Sequence, residues 1–182
     1  MIPIVTPVEM AAIDAAAPLP VAMLVERAGA AVARAAVDLL GGTYGRRVAV
    51  IAGKGNNGAD GRAAATRLQR RGVRCVVLDP DSAALPVEVD LVIDAAFGTG
   101  LSRPYDFPTV PEGVPVLAVD IPSGVDGLTG ARLGSPAAAD RTVTFAALKP
   151  GLLLEPGREL AGKVVIADIG LDTGDATIDL VE

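Results

Sequence analysis

Histidine is absent from all 182 residues. Its absence removes a Ser-His-Asp triad, a His-ligated zinc site and a histidine general base from the chain's own chemistry. Acid–base work falls instead to Asp, Glu, Lys, Tyr or bound water. Tryptophan is missing as well, and aromatics make up only 3% of the chain. The core must therefore be built from Ala, Val, Leu and Ile. A single cysteine, Cys75, excludes an intrachain disulfide and fits a reducing compartment; it lies in a stretch that reads as a buried strand. Positive charge is scarce, with a formal net charge of −6. The nearest basic cluster, Arg67, Arg70, Arg71 and Arg74, reads as one solvated helix side, not as a nucleic-acid footprint. No signal peptide and no apolar run of membrane-spanning length is visible, so the expectation is a cytoplasmic protein with neither nucleic acid nor membrane as partner.

Apolar residues supply 51% of the chain, which is too much for disorder and enough for one well-buried domain over residues 1–182. The stretch around which the rest is organised is GKGNNGADG, from Gly53 to Gly61. Val48 to Ala52 before it has the length and composition of a buried strand. After it, ADGRAAATRLQRRG reads as a helix, with Asp60 as N-cap and Gly72 as stop. Gly53, Gly55 and Gly58 satisfy G-x-G-x-x-G between strand and helix, a geometry that turns backbone N–H groups and a helix dipole towards an anion. A tight βα turn without a ligand would show the same glycines. The added carboxamides of Asn56 and Asn57, with Asp60, favour a site. A Walker phosphate loop is excluded, because Gly55 stands where Ser or Thr should follow Lys54.

The other elements follow from capping and periodicity. Thr6-Pro7-Val8-Glu9 is a capping box with Pro at the first helical position; Pro18 and Pro20 close that helix. Residues 21–40 form a longer helix, with Leu24, Ala28, Ala31, Ala35 and Leu39 on one side and Gly41-Gly42 as terminator. Further strands are read at 73–78, 90–94, 115–120, 141–145 and 163–168. Asp79 ends the second strand where a dinucleotide enzyme places its ribose-binding acid, although a solvated loop aspartate fits equally. In an open parallel sheet, ligands bind outside the carboxyl ends of the strands. The loops after the first, third and fourth strands would then bring Asn56, Asn57, Asp60, Asp94, Gly98-Thr99-Gly100, Asp120 and Ser123 to one crevice.

Two connections are short for this architecture. The stretch 79–90 leaves little room for a crossover helix, and 101–114 is rich in proline. One sheet face would then lack helical cover, and an oligomer partner over 79–86 or 105–114 is expected to supply it.

Five blocks together, MAAIDAAA with LVERAG, GKGNNGADG, DAAFGTGLSRP, VLAVDIPSGVDGLTG and TVTFAALKPG with AGKVVIADIGL, resemble the NAD(P)H-hydrate epimerases. These form the N-terminal domain of bifunctional nicotinamide-nucleotide repair enzymes. The resemblance implies an α/β fold, a Rossmann-like three-layer α/β/α sandwich with a mostly parallel central sheet; the abbreviated crossovers are a departure from it. It implies an isomerase that interconverts the (R)- and (S)-hydrates of NADH and NADPH. By match, the substrate would lie against Asn56, Asn57, Gly58, Ala59, Asp60, against Gly98, Thr99, Gly100, Leu101, Ser102, Arg103, Pro104, and against Asp120, the candidate catalytic acid–base residue. A potassium ion would be held by Asn57, Asp94 and Ser123, hard oxygen donors suited to a hard cation. Lys149 is a weaker candidate, since a family-matching lysine after TVTF fits simple pairing with a carboxylate as well. The partners implied are hydrated NAD(P)H, a second copy in a homo-oligomer (dimer), and a separate NAD(P)HX dehydratase. Ala59 departs from the family's second glycine. The alternative function is a non-catalytic nucleotide- or protein-binding module of the same fold; an ordinary NAD-dependent oxidoreductase lacks room for its substrate domain.

Overall fold

The computed structural model describes residues 2–81, 84–174, 176 and 178–180. In chain order they form β1 (Ile2–Ile4), α1 (Pro7–Ala15), α2 (Val21–Leu40), β2 (Arg47–Ala52), α3 (Asn56–Gln69), β3 (Arg74–Leu78), β4 (Leu91–Ala95), β5 (Tyr105–Asp106), β6 (Val116–Val119), β7 (Gly134–Ser135), β8 (Arg141–Phe145), a 3-10 turn (Pro150–Leu152), α4 (Gly157–Ala161), β9 (Lys163–Ala167) and β10 (Ile178–Leu180). Six strands make one sheet in the order β3-β2-β4-β6-β8-β9. Every pairing within it is parallel. This is the expected α/β architecture.

The chain runs outward from β2 to β3 and then crosses to the other side of β2 for β4. That reversal opens a crevice between the carboxyl ends of β2 and β4. The strands alternate across the sheet as period-2 geometry requires. Val48, Val50, Leu91, Ile93, Leu117, Val119, Val143 and Phe145 face α2 and α3. Ile51, Val92, Val116 and Ala118 face the other way.

The capping box of α1 is present. Thr6 Oγ1 accepts the Glu9 N–H at 3.2 Å, and Glu9 Oε2 accepts the Thr6 N–H at 2.7 Å. Helix α2 stops at Gly41, which has φ of 65° and so occupies the left-handed region glycine tolerates.

Three expectations need correction, and the open reading of Asp79 is decided in favour of a loop aspartate. Helix α3 begins at Asn56, with Gly55 as N-cap and no side-chain cap, so Asp60 lies inside the helix rather than at its start. The glycines permit this early start through close approach. A Cβ on Gly58 would lie 1.8 Å from the Gly53 carbonyl oxygen, and one on Gly53 would lie 2.0 Å from that of Ala96. The strand carrying Cys75 is a half-exposed sheet edge, because β3 has a neighbour on one side only. Asp79 is exposed and caps its own loop, accepting the Asp81 N–H at 3.0 Å; it stands outside the cavity described below. Finally, the face expected to need a second copy is covered from within. Tyr105 and Phe107 are buried on it, with Val110, Val114 and Ala137 packed alongside. Proline-rich chain can lie over a sheet without helical hydrogen bonds, so an extended segment does the work of a crossover helix. Further along, Leu152, Leu160 and Ala161 continue that layer over Val164 and Ile166.

Candidate active site

A cavity of about 800 Å³ opens at the carboxyl edge of the sheet, within the usual range for small-molecule sites. Its walls come from α1 and α2, from the loop entering α3, from residues 96–103, and from Asp120, Phe145 and Lys149.

At its floor, β6 and β8 both end in the same rare way. Asp120 has φ of 67° and Ala146 has φ of 62°. In each case the next N–H closes back on the preceding carbonyl, Ile121 to Val119 at 2.9 Å and Ala147 to Phe145 at 2.7 Å. These are γ-turns with positive φ at the centre, strained for a residue with a side chain. The first aims Asp120 upward while its own N–H keeps a sheet-type bond to Val143 O at 2.7 Å. The second lies between Phe145 and Lys149, whose ammonium returns to Thr144 and Phe145.

Lys149 is only 1% exposed. Its ammonium donates to Asp120 Oδ1 at 2.6 Å, to Thr144 Oγ1 at 2.8 Å and to Phe145 O at 3.0 Å. All three of its protons are thus used. Thr144 also donates to Asp120 Oδ1, at 3.2 Å. Asp120 Oδ2 takes no bond among the described residues and faces Gly98, where a Cβ would lie 3.4 Å from it. The same imaginary atom would be 3.6 Å from Asn57 Cβ and Cγ. Gly98 therefore leaves the space in which Asp120 and Asn57 approach each other.

The carboxamide of Asn57 is buried, and neither its nitrogen nor its oxygen has a partner among the described residues. Orphaned buried polar groups call for an explanation such as an ion, water or ligand. Asp94 and Ser123, both buried, lie beneath the cavity wall. Asp94 accepts the Ser123 hydroxyl at 2.5 Å, the Ser123 N–H at 2.7 Å and the Ala96 N–H at 3.3 Å. Ser123 Oγ accepts the Phe97 N–H at 2.9 Å. This pair anchors the start of the 97–104 loop. Burial pushes the Asp94 carboxyl up to about 6, against the lowering effect of these hydrogen bonds. Of the three residues read as potassium ligands, Asn57 lines the cavity with its carboxamide unpartnered among the described residues, whereas Asp94 and Ser123 are bonded to each other and lie outside the cavity lining. No group of three or more His, Cys, Asp or Glu able to hold a metal occurs among the described residues.

Of the substrate residues read from the sequence, Asn56, Asn57, Asp60, Gly98, Thr99, Gly100, Leu101, Ser102, Arg103 and Asp120 line the cavity. Gly58, Ala59 and Pro104 do not. Gly58 is pressed against Gly53, and Ala59 closes the first helical bond to Gly55 at 3.0 Å. Ala59 has no positive φ, so its side chain costs the helix nothing. Arg103 stacks 5.2 Å from the Phe97 ring centroid and pairs with Asp81 at 3.5 Å. The residue sequence reading missed is Asp14 of α1, which faces the cavity. Its signal was a lone acid within MAAIDAAA. Burial and the nearby Asp120 raise its carboxyl, with Lys149 opposing.

The sheet, its switch point and the acid–lysine pair at the strand ends define a Rossmann-like α/β protein with an acid–base cavity. Within that class the chain belongs to the family described as YjeF-related protein N-terminus, whose model matches residues 21–84 and 78–151. An NAD(P)H-hydrate epimerase of Limosilactobacillus fermentum is 36% identical over 182 residues, 82% of this chain and 86% of that protein. A bifunctional NAD(P)H-hydrate repair enzyme of Thermofilum pendens is 40% identical over 187 residues, 81% of this chain. The chain spans about a third of that longer relative, 35% of its length. The crystal structure of the yeast protein ynu0 shares the fold, with a TM-score of 0.66 at 24% identity, covering 81% of this chain and 82% of its own.

Proposed function

We propose that this chain is an isomerase that epimerises the hydrates of NADH and NADPH, with Asp120 as an acid–base residue. The observation that carries the proposal is the setting of Asp120. One oxygen is held by a buried lysine, the other is left to the cavity, and strained backbone fixes the direction. Relatives named for this activity, 36% identical over most of the chain, support it.

Hydration of an enamine leaves the hydroxyl on the carbon attached to nitrogen. Inverting that carbon requires a C–O or C–N bond to open and close again, and both routes move protons. Asp120 is placed to exchange one of them, while Lys149 and Thr144 hold its carboxylate in a single orientation. The N-terminus of α3, which has no side-chain cap, would offer first-turn N–H groups and the positive end of the dipole to the dinucleotide's phosphates. The 97–104 loop packs the opposite side. Potassium, when bound, would be held by Asn57, Asp94 and Ser123 and would supply fixed positive charge near the anionic substrate.

The intact cavity and the retained acid–lysine pair favour the enzyme over a non-catalytic module. The same reading includes a cytoplasmic location, a dehydratase that consumes one epimer, and a homodimer. Val76 and Val77, exposed on the edge strand β3, are the surface offered for that dimer, and sedimentation tests it. Among the described residues no helix is long and apolar enough to cross a membrane.

Asp120→Asn should keep the fold and lower the interconversion of separated hydrate epimers about 10²–10⁴-fold, as loss of a general acid–base group does. Turnover near that of the parent protein would remove Asp120 from the mechanism.

A further inference from the structure

We infer that Asp60 is the second acid–base residue of this site, a proton donor that works with Asp120 on the same substrate carbon. This rests on the epimerase reading above. Asp60 sits one turn inside α3, 7% exposed, with its side chain on the cavity wall. No hydrogen bond and no ion pair reaches it among the described residues. A carboxylate in such a place is penalised for its lost water, and nothing returns the loss. The charges that act on it make matters worse: Asp120 at the floor and Asp14 from α1 are both acidic. Of the cavity's cations, Lys149 is committed to Asp120, Thr144 and Phe145. Arg103 is committed to Asp81 and the Phe97 ring. Lys54 lies at the mouth and is exposed.

Burial and a like charge nearby both disfavour the ionised form of a carboxyl. Desolvation first, then Asp120 and Asp14, hold the Asp60 carboxyl up to about 8. At neutral pH, Asp60 therefore carries a proton while Asp120, paired with Lys149, serves as the base. Two carboxyls set apart by environment are the arrangement that acid–base chemistry needs.

The step balances. The Asp60 O–H proton passes to the departing hydroxyl as the C–O bond breaks, giving water, and the ring-nitrogen lone pair forms a C=N bond. A water then adds to the opposite face of that carbon, its oxygen forming the new C–O bond and its proton passing to Asp120. Solvent returns a proton to Asp60 and takes one from Asp120. Nothing is oxidised or reduced, and the product differs only in configuration.

The test is a pH profile of kcat/KM, with kcat and KM resolved, for purified wild type, Asp60→Asn and Asp60→Glu on each separated epimer. Wild-type kcat/KM, which reports the free enzyme, should fall as pH rises through about 8. Asp60→Asn should lose about 10²–10⁴-fold in kcat with little change in KM, and Asp60→Glu should recover part of it. Stability gives a readout independent of turnover. The folded wild type holds a proton that the unfolded chain releases from about pH 4 upward. Its stability is full below that pH and declines until about pH 8. Asp60→Asn, which cannot ionise, should gain on the wild type above pH 8 and show no such gain at pH 4. Carbon-13 aspartate spectra of the wild type read the same proton without any variant. Asp60→Asn turning over normally, or an Asp60 resonance titrating near 4, overturns the inference and leaves the epimerase reading standing. A wild type that interconverts neither epimer removes the epimerase reading, and the inference falls with it.

Discussion

Replacing Lys149 by Met keeps the length and apolar stem of the side chain and deletes only the ammonium. In the folded protein that deletion takes a donor from Asp120 Oδ1, Thr144 Oγ1 and Phe145 O. Phe145 O keeps the Ala147 N–H and Asp120 Oδ1 keeps the Thr144 hydroxyl, but the charge of Asp120 loses its only cation among the described residues. Removing one partner of a buried ion pair typically costs about 3–5 kcal/mol, because a charge is left without compensation. Asp120 keeps 15% of its side chain exposed, so water recovers part of this and the lower figure, about 3 kcal/mol, applies. For a chain of this length each kcal/mol moves the midpoint by about 2–4 °C, so Lys149→Met should melt about 6–12 °C lower. The double variant Asp120→Asn with Lys149→Met removes both charges and should be less destabilised than the two single losses added together, by about 1–3 kcal/mol of coupling. Urea and thermal unfolding at neutral pH measure all four proteins of this cycle. Epimerisation should fall in Lys149→Met as well, since Asp120 then loses its fixed orientation. A midpoint within 2 °C of the wild type, well inside the shift expected of a broken buried pair, would refute the reasoning, as would strictly additive losses.

Two further substitutions test the scaffold around the site. Gly58→Ala should disturb the first turn of α3, because its Cβ would meet backbone oxygen that cannot give way; a loss of about 1–3 kcal/mol or more is expected, with weakened dinucleotide binding. Gly55→Ala, with open space around it and no positive φ, is the tolerated control in the same calorimetry, and equal behaviour of the two would count against the close approach. Ser123→Ala removes donors and acceptors shared by Asp94 and Phe97, so the Asp94 carboxyl should rise above about 6 and the Phe97 amide should lose hydrogen-exchange protection. In crystals grown with thallium, the proposed cation beside Asn57 should weaken in this variant; unchanged amide protection would show that Ser123 does not anchor the loop.

Much of the site was legible because it lies at strand ends. Asn57, Asp60, Asp94, Asp120 and Ser123 follow apolar runs of strand length, and parallel strands of one sheet all present their carboxyl ends on the same edge. Lys149 was legible as a residue that could simply pair with a carboxylate, and it pairs with Asp120; which carboxylate was not legible. Only the tertiary contacts show that its ammonium is spent inside the protein, on Asp120, Thr144 and Phe145. Asp14 was passed over because a lone acid in an alanine-rich helix carries no pattern. Its part comes from α1 standing beside the cavity, far from Asp120 in sequence. The N-cap of α3 was misplaced by five residues, Asp60 for Gly55, since Asp is a better N-cap than Gly by propensity, while the contact of Gly58 with Gly53 decided otherwise.

By itself the sequence determined the strands, the glycine loop, the capped first helix and the exclusion of histidine chemistry, because each depends on neighbours within a few residues or on composition alone. The tertiary structure alone decided which acid is paired and which is left bare. Asp60 and Asp120 carry the same side chain. One is buried against other carboxyls and the other sits on a lysine. That difference is made by distances across the sheet edge, where local pattern has no reach.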